Sequence, residues 1–209
     1  MNLTQQPMVE SPGEPPASGA VPWDAADVVK AVGVSLGLLI GGILVLIIVN
    51  AGFDANSTAL ALAFTGASEL VLVWAAWRFS VFKHGCSWRA LGFRRLRLGD
   101  ARWAVPAGVL ASLAIAVLYA AVINGLGWGD NVRSDSFLDE SRAVQVAASL
   151  LAVVVAPLAE ETFFRGFVFT GLRRRLGLRG AAVAASGLFA LAHIQPISYV
   201  PIFMIGLVL

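Results

Sequence analysis

The sequence has little charge. Asp, Glu, Lys and Arg make up 13% of the 209 residues, about half of the roughly 25% that is usual for soluble globular proteins. The formal net charge is only +2, and no charged soluble module is present, so a nucleic-acid-binding function is excluded. Hydrophobic residues reach 58% and the mean hydropathy is +0.79. This composition excludes an ordinary soluble enzyme and indicates a membrane protein.

Cysteine and histidine are also scarce. The single cysteine, Cys86, excludes both an intramolecular disulfide and a thiolate metal site. Of the two histidines, His84 lies in a basic segment, whereas His193 lies within an apolar run. Nothing in the sequence assigns a function to Cys86 or His84.

Long apolar runs are what the sequence has in abundance. A membrane-spanning helix needs about 20 apolar residues, and five runs meet or approach that length. A sixth run starts near Ser198 and reaches Leu209, a rise of about 18 Å, less than the roughly 30 Å of a bilayer core. We therefore expect an all-α polytopic membrane helix bundle with five complete transmembrane helices plus a truncated sixth, and a C-terminally incomplete chain. The five runs are 31–53, 55–77, 103–129, 143–172 and 180–195.

The chain divides into three predicted parts. Residues 1–27 contain five of the nine prolines and no early apolar core, which predicts a disordered tail rather than a signal peptide. Residues 28–142 contain the N-terminal membrane helices, and residues 143–209 form the predicted functional core.

The distribution of Lys and Arg predicts the orientation in the membrane. Seven of these residues lie in segment 78–102 and four in segment 173–179, but only two lie in segment 130–142. Because positively charged loops stay in the cytoplasm, segments 78–102 and 173–179 are predicted to be cytoplasmic. The same rule predicts a cytoplasmic N-terminus, hence a cytoplasmic tail, and an outer loop at 130–142.

Three charged side chains interrupt the fourth apolar run. Glu160, Glu161 and Arg165 lie within six residues, and ionisable groups inside a membrane are costly and usually functional. Glu161 and Arg165 are four residues apart and share a helix face, so they can form an ion pair. Glu160 points about 100° away and has no cation one turn later. An unpaired carboxylate there is available as a general base, and Pro157 can kink the helix beside it.

His193 lies on the next predicted helix. The turn at 173–179 makes the two helices antiparallel neighbours, and Glu160 and His193 are at similar distances from it, so the two side chains could hold one water molecule. A purely structural histidine and a purely structural Glu161–Arg165 pair remain the alternative. For Glu69, alone in the second run, we expect a hydrogen-bonded core carboxyl.

Two motifs carry a family resemblance. Glu160-Glu161-Thr162-Phe163-Phe164-Arg165 resembles the EExxxR motif of the CPBP family, which comprises CAAX prenyl endopeptidases and bacteriocin-processing enzymes. Phe189-Ala190-Leu191-Ala192-His193 resembles the FxxxH motif of the same family. The resemblance covers about 143–209, and the first three helices share only general hydrophobicity with the family.

The resemblance implies an integral membrane endopeptidase that hydrolyses a membrane-bound or lipidated, CAAX-type protein or peptide. It implies that Glu160 and His193 activate a water molecule and that Glu161 and Arg165 are the remaining catalytic-motif residues. Family members are described as metalloproteases or as glutamate proteases. A divalent metal such as zinc held by Glu160 and His193 is therefore one implied option, although two ligands are too few for a zinc site by themselves.

A later family motif adds a histidine and an Asn or Asp that stabilise the oxyanion. We expect that motif beyond Leu209, so the 209-residue form is expected to lack part of the site and its activity.

A non-catalytic function is the competing hypothesis. Intramembrane acids and a histidine also occur in proton-relay transporters, and a bacteriocin-immunity or partner-binding scaffold is a further possibility. The sequence has no internal repeat of the kind that transporters show, which favours the enzyme. In either case the expected partners are membrane lipid and a membrane-bound peptide, without nucleic acid, and the expected location is a bacterial plasma membrane.

Overall fold

The computed structural model describes residues 21–52, 57–93, 98–126, 140–193 and 196–208. These ranges are helical, at 92%, and contain no strand, which confirms the predicted all-α class. Several predicted features lie outside the described residues: positions 1–20 of the tail, most of the outer loop 130–142, part of the basic segment 78–102, and the end of the fifth run at 194–195.

Within the described ranges, seven α-helices are joined by shorter helical segments. Three of these segments are π-helical, Arg78–Phe82, Leu151–Val155 and Glu161–Phe169, and two are 3₁₀-helical, Trp88–Leu91 and Pro196–Ser198. The α-helices are α1 Ala25–Gly52, α2 Ser57–Trp77, α3 Leu98–Gly125, α4 Arg142–Leu150, α5 Ala156–Glu160, α6 Thr170–Ala192 and α7 Tyr199–Val208.

Four helices in the described ranges are long and apolar enough to cross a membrane. They are Ala25–Gly52, Thr58–Phe82, Pro106–Gly125 and Arg142–Ala192, and Pro196–Val208 is a shorter apolar helix. The structure thus confirms a polytopic helical bundle. The count of five complete helices plus a truncated sixth stays a prediction, because the fourth span contains two of the predicted helices.

Gly177 divides that long fourth span. Its backbone has φ 70° and ψ −179°, a conformation that glycine adopts without the steric penalty of a side chain. The chain folds back after this residue, since the Phe189 ring packs edge-to-face on Phe164, with ring centroids 5.3 Å apart. Gly177 lies inside the turn that the sequence predicts at 173–179.

The end of the predicted tail is part of the bundle. Asp24 caps helix α1, because its Oδ1 accepts hydrogen bonds from the backbone N–H of Ala26 at 2.9 Å and of Asp27 at 3.1 Å. Trp23 is 2% exposed, its indole stacks on Phe167 with ring centroids 5.8 Å apart, and its Nε1 donates to the Phe167 carbonyl oxygen at 3.0 Å. The tail boundary at residue 27 is therefore wrong, since the described residues 21–27 pack against a segment far away in the chain.

The basic segment 78–102 is also more ordered than a simple loop. Its first residues continue α2 as the π-helical segment Arg78–Phe82, and its last residues belong to α3. Within it, Lys83 Nζ and His84 Nε2 both bind the buried carboxylate of Asp27, His84 at 2.8 Å. Because Asp27 is otherwise cut off from water, these two side chains explain how α1 tolerates a buried acid.

The core surrounds the π-helical segment Glu161–Phe169. Six of its nine residues are buried, and they pack against α1, α2 and the 3₁₀ turn Trp88–Leu91. Gly166 permits the closest of these approaches, because a Cβ atom there would lie 2.4 Å from the Leu91 carbonyl oxygen. The segment that contains most of the EExxxR motif is therefore largely buried. Its buried residues are Thr162, Phe163, Phe164, Gly166, Phe167 and Val168.

Candidate active site

Glu160 and His193 lie side by side at the ends of two helices. Glu160 is the last residue of α5, and His193 follows the last residue of α6. Glu160 Oε1 is 3.8 Å from His193 Nε2, and both side chains are largely buried, at 23% and 32% exposed. This separation is well inside the limit of about 8 Å for two groups bridged by one water molecule.

The imidazole of His193 is held in a defined orientation. Its Nδ1 lies 2.9 Å from the Phe189 carbonyl oxygen, and a carbonyl can only accept, so Nδ1 donates the hydrogen bond. In the neutral ring Nε2 is then the unprotonated nitrogen. The Phe189 ring packs edge-to-face on the imidazole, with centroids 4.9 Å apart, and the Nε2 lone pair is directed at the Glu160 side.

The gap between Glu160 and His193 suits one water molecule. At 3.8 Å, the two atoms are too far apart for a direct hydrogen bond, and both accept hydrogen bonds when Glu160 is ionised and His193 neutral. A water molecule that donates hydrogen bonds of about 2.8 Å to both atoms would have an angle of about 85° between the two bonds. The two O–H groups of a water molecule can make hydrogen bonds at this angle with modest bending. A neighbouring cavity of about 20 Å³ has room for one water molecule. Its lining includes Glu160, Glu161 and Arg165 but not His193, so it lies on the other side of Glu160 from the imidazole.

Glu161 and Arg165 form a separate arrangement. Arg165 Nε is 4.0 Å from Glu161 Oε1, at the limit of an ion pair, and the Glu161 side chain is 54% exposed. The stronger contact of Arg165 is its Nη2, which donates to the Gly206 carbonyl oxygen on α7 at 2.6 Å. The two adjacent glutamates thus have different partners, as their helical spacing predicts: Glu160 lies beside His193, and Glu161 lies beside Arg165. The sequence did not predict the bond from Arg165 to α7.

Glu69 is buried as expected, but its hydrogen bonding differs from the expectation. It is buried, at 8% exposed, as predicted for a core carboxyl. The predicted hydrogen bonding is wrong for one of its atoms, because Oε2 finds no hydrogen-bond partner among the described residues. Its helix α2 packs against α5, the helix that ends at Glu160. The sequence does contain a signal for Glu69, because a single acid inside an apolar run is unusual. It does not predict which residues surround Glu69, since spacing along one helix does not show which other helix packs against it.

Glu69 borders an apolar pocket next to the EExxxR motif. The pocket has a volume of about 260 Å³. Ala159 and Thr162, which flank Glu160 and Glu161 in the chain, line it together with Glu69. The remaining lining residues are Leu70, Val73, Phe93, Val154, Val155 and Leu158.

The side chains at the site do not make up a zinc site by themselves. Catalytic zinc in proteins is held by three protein ligands, whereas Glu160 and His193 supply two. Within the part of the chain that the structure describes, no group of three or more His, Cys, Asp and Glu side chains is placed to hold a metal ion.

Comparison with known proteins gives one match. Residues 142–209 match the family model described as Type II CAAX prenyl endopeptidase Rce1-like. No curated protein and no solved structure matches the chain. The matched residues are those in which the two motifs were recognised, and they include all four predicted site residues. The resemblance is therefore confirmed for the C-terminal third of the chain, residues 142–209, which matches the Rce1-like type II CAAX prenyl endopeptidases, in agreement with a CPBP-family protease.

Proposed function

We propose that the protein is an intramembrane endopeptidase. It hydrolyses a peptide bond in a membrane-bound or lipidated, CAAX-type protein or peptide, in the cytoplasmic half of the bundle. The family match supports a CAAX-type intramembrane protease at the family level. The observation that carries the proposal is the 3.8 Å separation of Glu160 Oε1 and His193 Nε2, which suits a shared water.

The two side chains have different tasks in this mechanism. Glu160 removes a proton from the water while His193 Nε2 holds the second hydrogen, so that the water oxygen is directed at the scissile carbonyl carbon. As the O–C bond forms, the carbonyl becomes a tetrahedral oxyanion. When the C–N bond breaks, its electron pair stays on nitrogen, and the proton on Glu160 passes to the leaving amine. General base catalysis of this kind contributes about 10²–10⁴-fold in rate.

Arg165 and Glu161 support this site from beside Glu160, where they line the same small cavity. The Arg165 guanidinium connects the π-helical segment Glu161–Phe169 to α7 through the Gly206 carbonyl, and its charge is balanced by Glu161. We assign them to positioning α5 and α7 around Glu160. No step of the mechanism passes through a metal ion, since the described residues supply only two donors at the site, Glu160 and His193.

The substrate arrives through the lipid phase. The described spans and the family match support an integral membrane protein, whose N-terminus we propose to be cytoplasmic. Four Arg residues lie in segment 173–179, and this positive charge supports a cytoplasmic position for the turn between the two motif-bearing helices. A lipid-anchored peptide would therefore reach the site from that leaflet.

The test is cleavage by the complete protein in liposomes. We expect a farnesylated CAAX peptide to be cut at one bond, as read by mass spectrometry, and a His193→Ala variant with unchanged thermal unfolding to be at least about 100-fold slower. Cleavage that is unaffected by His193→Ala would refute the proposal.

A proton relay is the second candidate, favoured by one observation. Three intramembrane ionisable groups lie on neighbouring helices: Glu69 on α2, which packs against α5, Glu160 at the end of α5, and His193 at the end of α6, 3.8 Å from Glu160. Intramembrane chains of such groups conduct protons in pumps and transporters. A pH-sensitive dye inside the same liposomes separates the two candidates: the relay predicts a proton flux that His193→Ala abolishes and no peptide cleavage.

A further inference from the structure

Seven consecutive residues, 173–179, are all exposed at the junction of the two motif-bearing helices. The chain folds back there, inside the apolar span Arg142–Ala192. Because one apolar helix leads into this turn and another leads out of it, the turn lies where the hydrocarbon core ends and the headgroup layer begins. We call it the arginine turn, since it contains Arg173, Arg174, Arg175 and Arg179, with Leu176 and Leu178 on either side of Gly177.

The described residues give the four arginines of this turn no counter-charge. The ion pairs that they form join other side chains. The first turn of α1 packs at the same end of the bundle, because a Cβ atom at Gly171 would lie 2.8 Å from the Trp23 ring. Two acids lie there, but Asp24 caps α1 with its Oδ1 and Asp27 binds Lys83. Neither forms an ion pair with the arginine turn, so its positive charge is available to a ligand.

The two leucines of the turn indicate which kind of anion binds. Leu176 and Leu178 are 46% and 59% exposed, although basic residues surround them in the chain. Segments that combine basic and exposed apolar side chains bind at the membrane surface, where the cations pair with anionic lipids and the apolar side chains insert beside the acyl chains. A free phosphate ion would leave both leucines in water, whereas a phospholipid covers them and neutralises the arginines. The composition of the turn therefore favours lipid.

We propose that the arginine turn is a binding site for the phosphate headgroups of anionic phospholipids. A guanidinium group has a planar fork of N–H donors that pairs with two phosphate oxygens at once, and each basic residue near an anionic lipid surface strengthens binding about fivefold. Because the turn joins the helices that carry Glu160 and His193, a lipid bound there bridges the ends of both helices. The binding does not depend on peptidase activity.

The test is a lipid titration of the complete protein in detergent, read by native mass spectrometry. The probes are phosphatidylglycerol and phosphatidylcholine with identical acyl chains, which differ in headgroup charge. We expect wild type to bind phosphatidylglycerol with a Kd at least about tenfold lower than that for phosphatidylcholine. A variant in which all four arginines of the turn are exchanged for Gln should bind both lipids equally. The matched control is Arg142→Gln, because Arg142 is an exposed arginine at the start of α4, and it should keep the wild-type preference.

Three outcomes would overturn the inference. The first is an equal Kd of wild type for the two lipids, and the second is a preference for phosphatidylglycerol that the four-Gln variant retains. The third is displacement of the lipid by inorganic phosphate but not by chloride at the same ionic strength, which would identify a site for free phosphate. Thermal unfolding shows whether each variant is folded. If the four-Gln variant is not, the double variant Arg174→Gln, Arg175→Gln replaces it and should lower the preference at least about fivefold; an unchanged preference would equally refute the lipid site.

Discussion

Arg165 should contribute more to stability than its partner Glu161, although the two form one sequence motif. The Arg165 guanidinium donates a 2.6 Å hydrogen bond to the Gly206 carbonyl, and a hydrogen bond to a charged group contributes about 1.5–3 kcal/mol. Its ion pair with Glu161 is 4.0 Å long with a half-exposed acid, and such i, i+4 pairs contribute about 0.3–0.5 kcal/mol. We therefore expect Arg165→Ala to lower the free energy of unfolding by about 2 kcal/mol and Glu161→Gln by about 0.5 kcal/mol.

A double-mutant cycle in detergent micelles measures both effects. Unfolding is followed for Arg165→Ala, Glu161→Gln and the double variant, with Arg173→Ala as control, because Arg173 is exposed. The coupling energy should be about 0.5 kcal/mol or less. The reasoning is refuted if Glu161→Gln is as destabilising as Arg165→Ala, or if Arg165→Ala couples to Glu160→Gln more strongly than to Glu161→Gln.

Three further predictions follow from single contacts. Gly166→Ala should lower the free energy of unfolding by about 1–3 kcal/mol, because its Cβ would meet the Leu91 carbonyl, whereas Gly187→Ala has open space around it and should lose nothing; equal effects would refute the tight approach. Trp23→Phe should cost about 1 kcal/mol, since it keeps the stacking on Phe167 but loses the indole hydrogen bond; an unchanged melting temperature would contradict this. Peptide cleavage should persist in excess chelator, because Glu160 and His193 are the only two donors that the described residues supply at the site; a loss restored by zinc would show a metal requirement.

The local chemistry of the site could be predicted from the sequence because it depends on helical spacing. A period of 3.6 residues separates Glu160 from Glu161 and pairs Glu161 with Arg165. A short turn between two helices makes them neighbours, which brings Glu160 and His193 to the same depth. The structure has these pairs at 4.0 Å and 3.8 Å.

The contacts that could not be predicted connect residues far apart in the chain. The indole of Trp23 donates a hydrogen bond to Phe167, 144 residues later, whereas the proline-rich composition of residues 1–27 predicts only a disordered tail. His84 binds Asp27 from another helix, and Glu69 shares a pocket with Ala159 and Thr162 across the α2–α5 contact. Helix periodicity does not encode which faces of two distant helices meet, because that depends on packing of the whole bundle.

The adjacent glutamates of the motif offer the most direct test of the central claim. Glu160→Gln and Glu161→Gln are the same chemical change at neighbouring positions, one beside His193 and the other beside Arg165. The rate of peptide cleavage in liposomes should fall at least about 100-fold in Glu160→Gln and less than about tenfold in Glu161→Gln, with both variants folded. Equal rates in the two variants, or a larger loss in Glu161→Gln, would contradict the assignment of Glu160 as the general base.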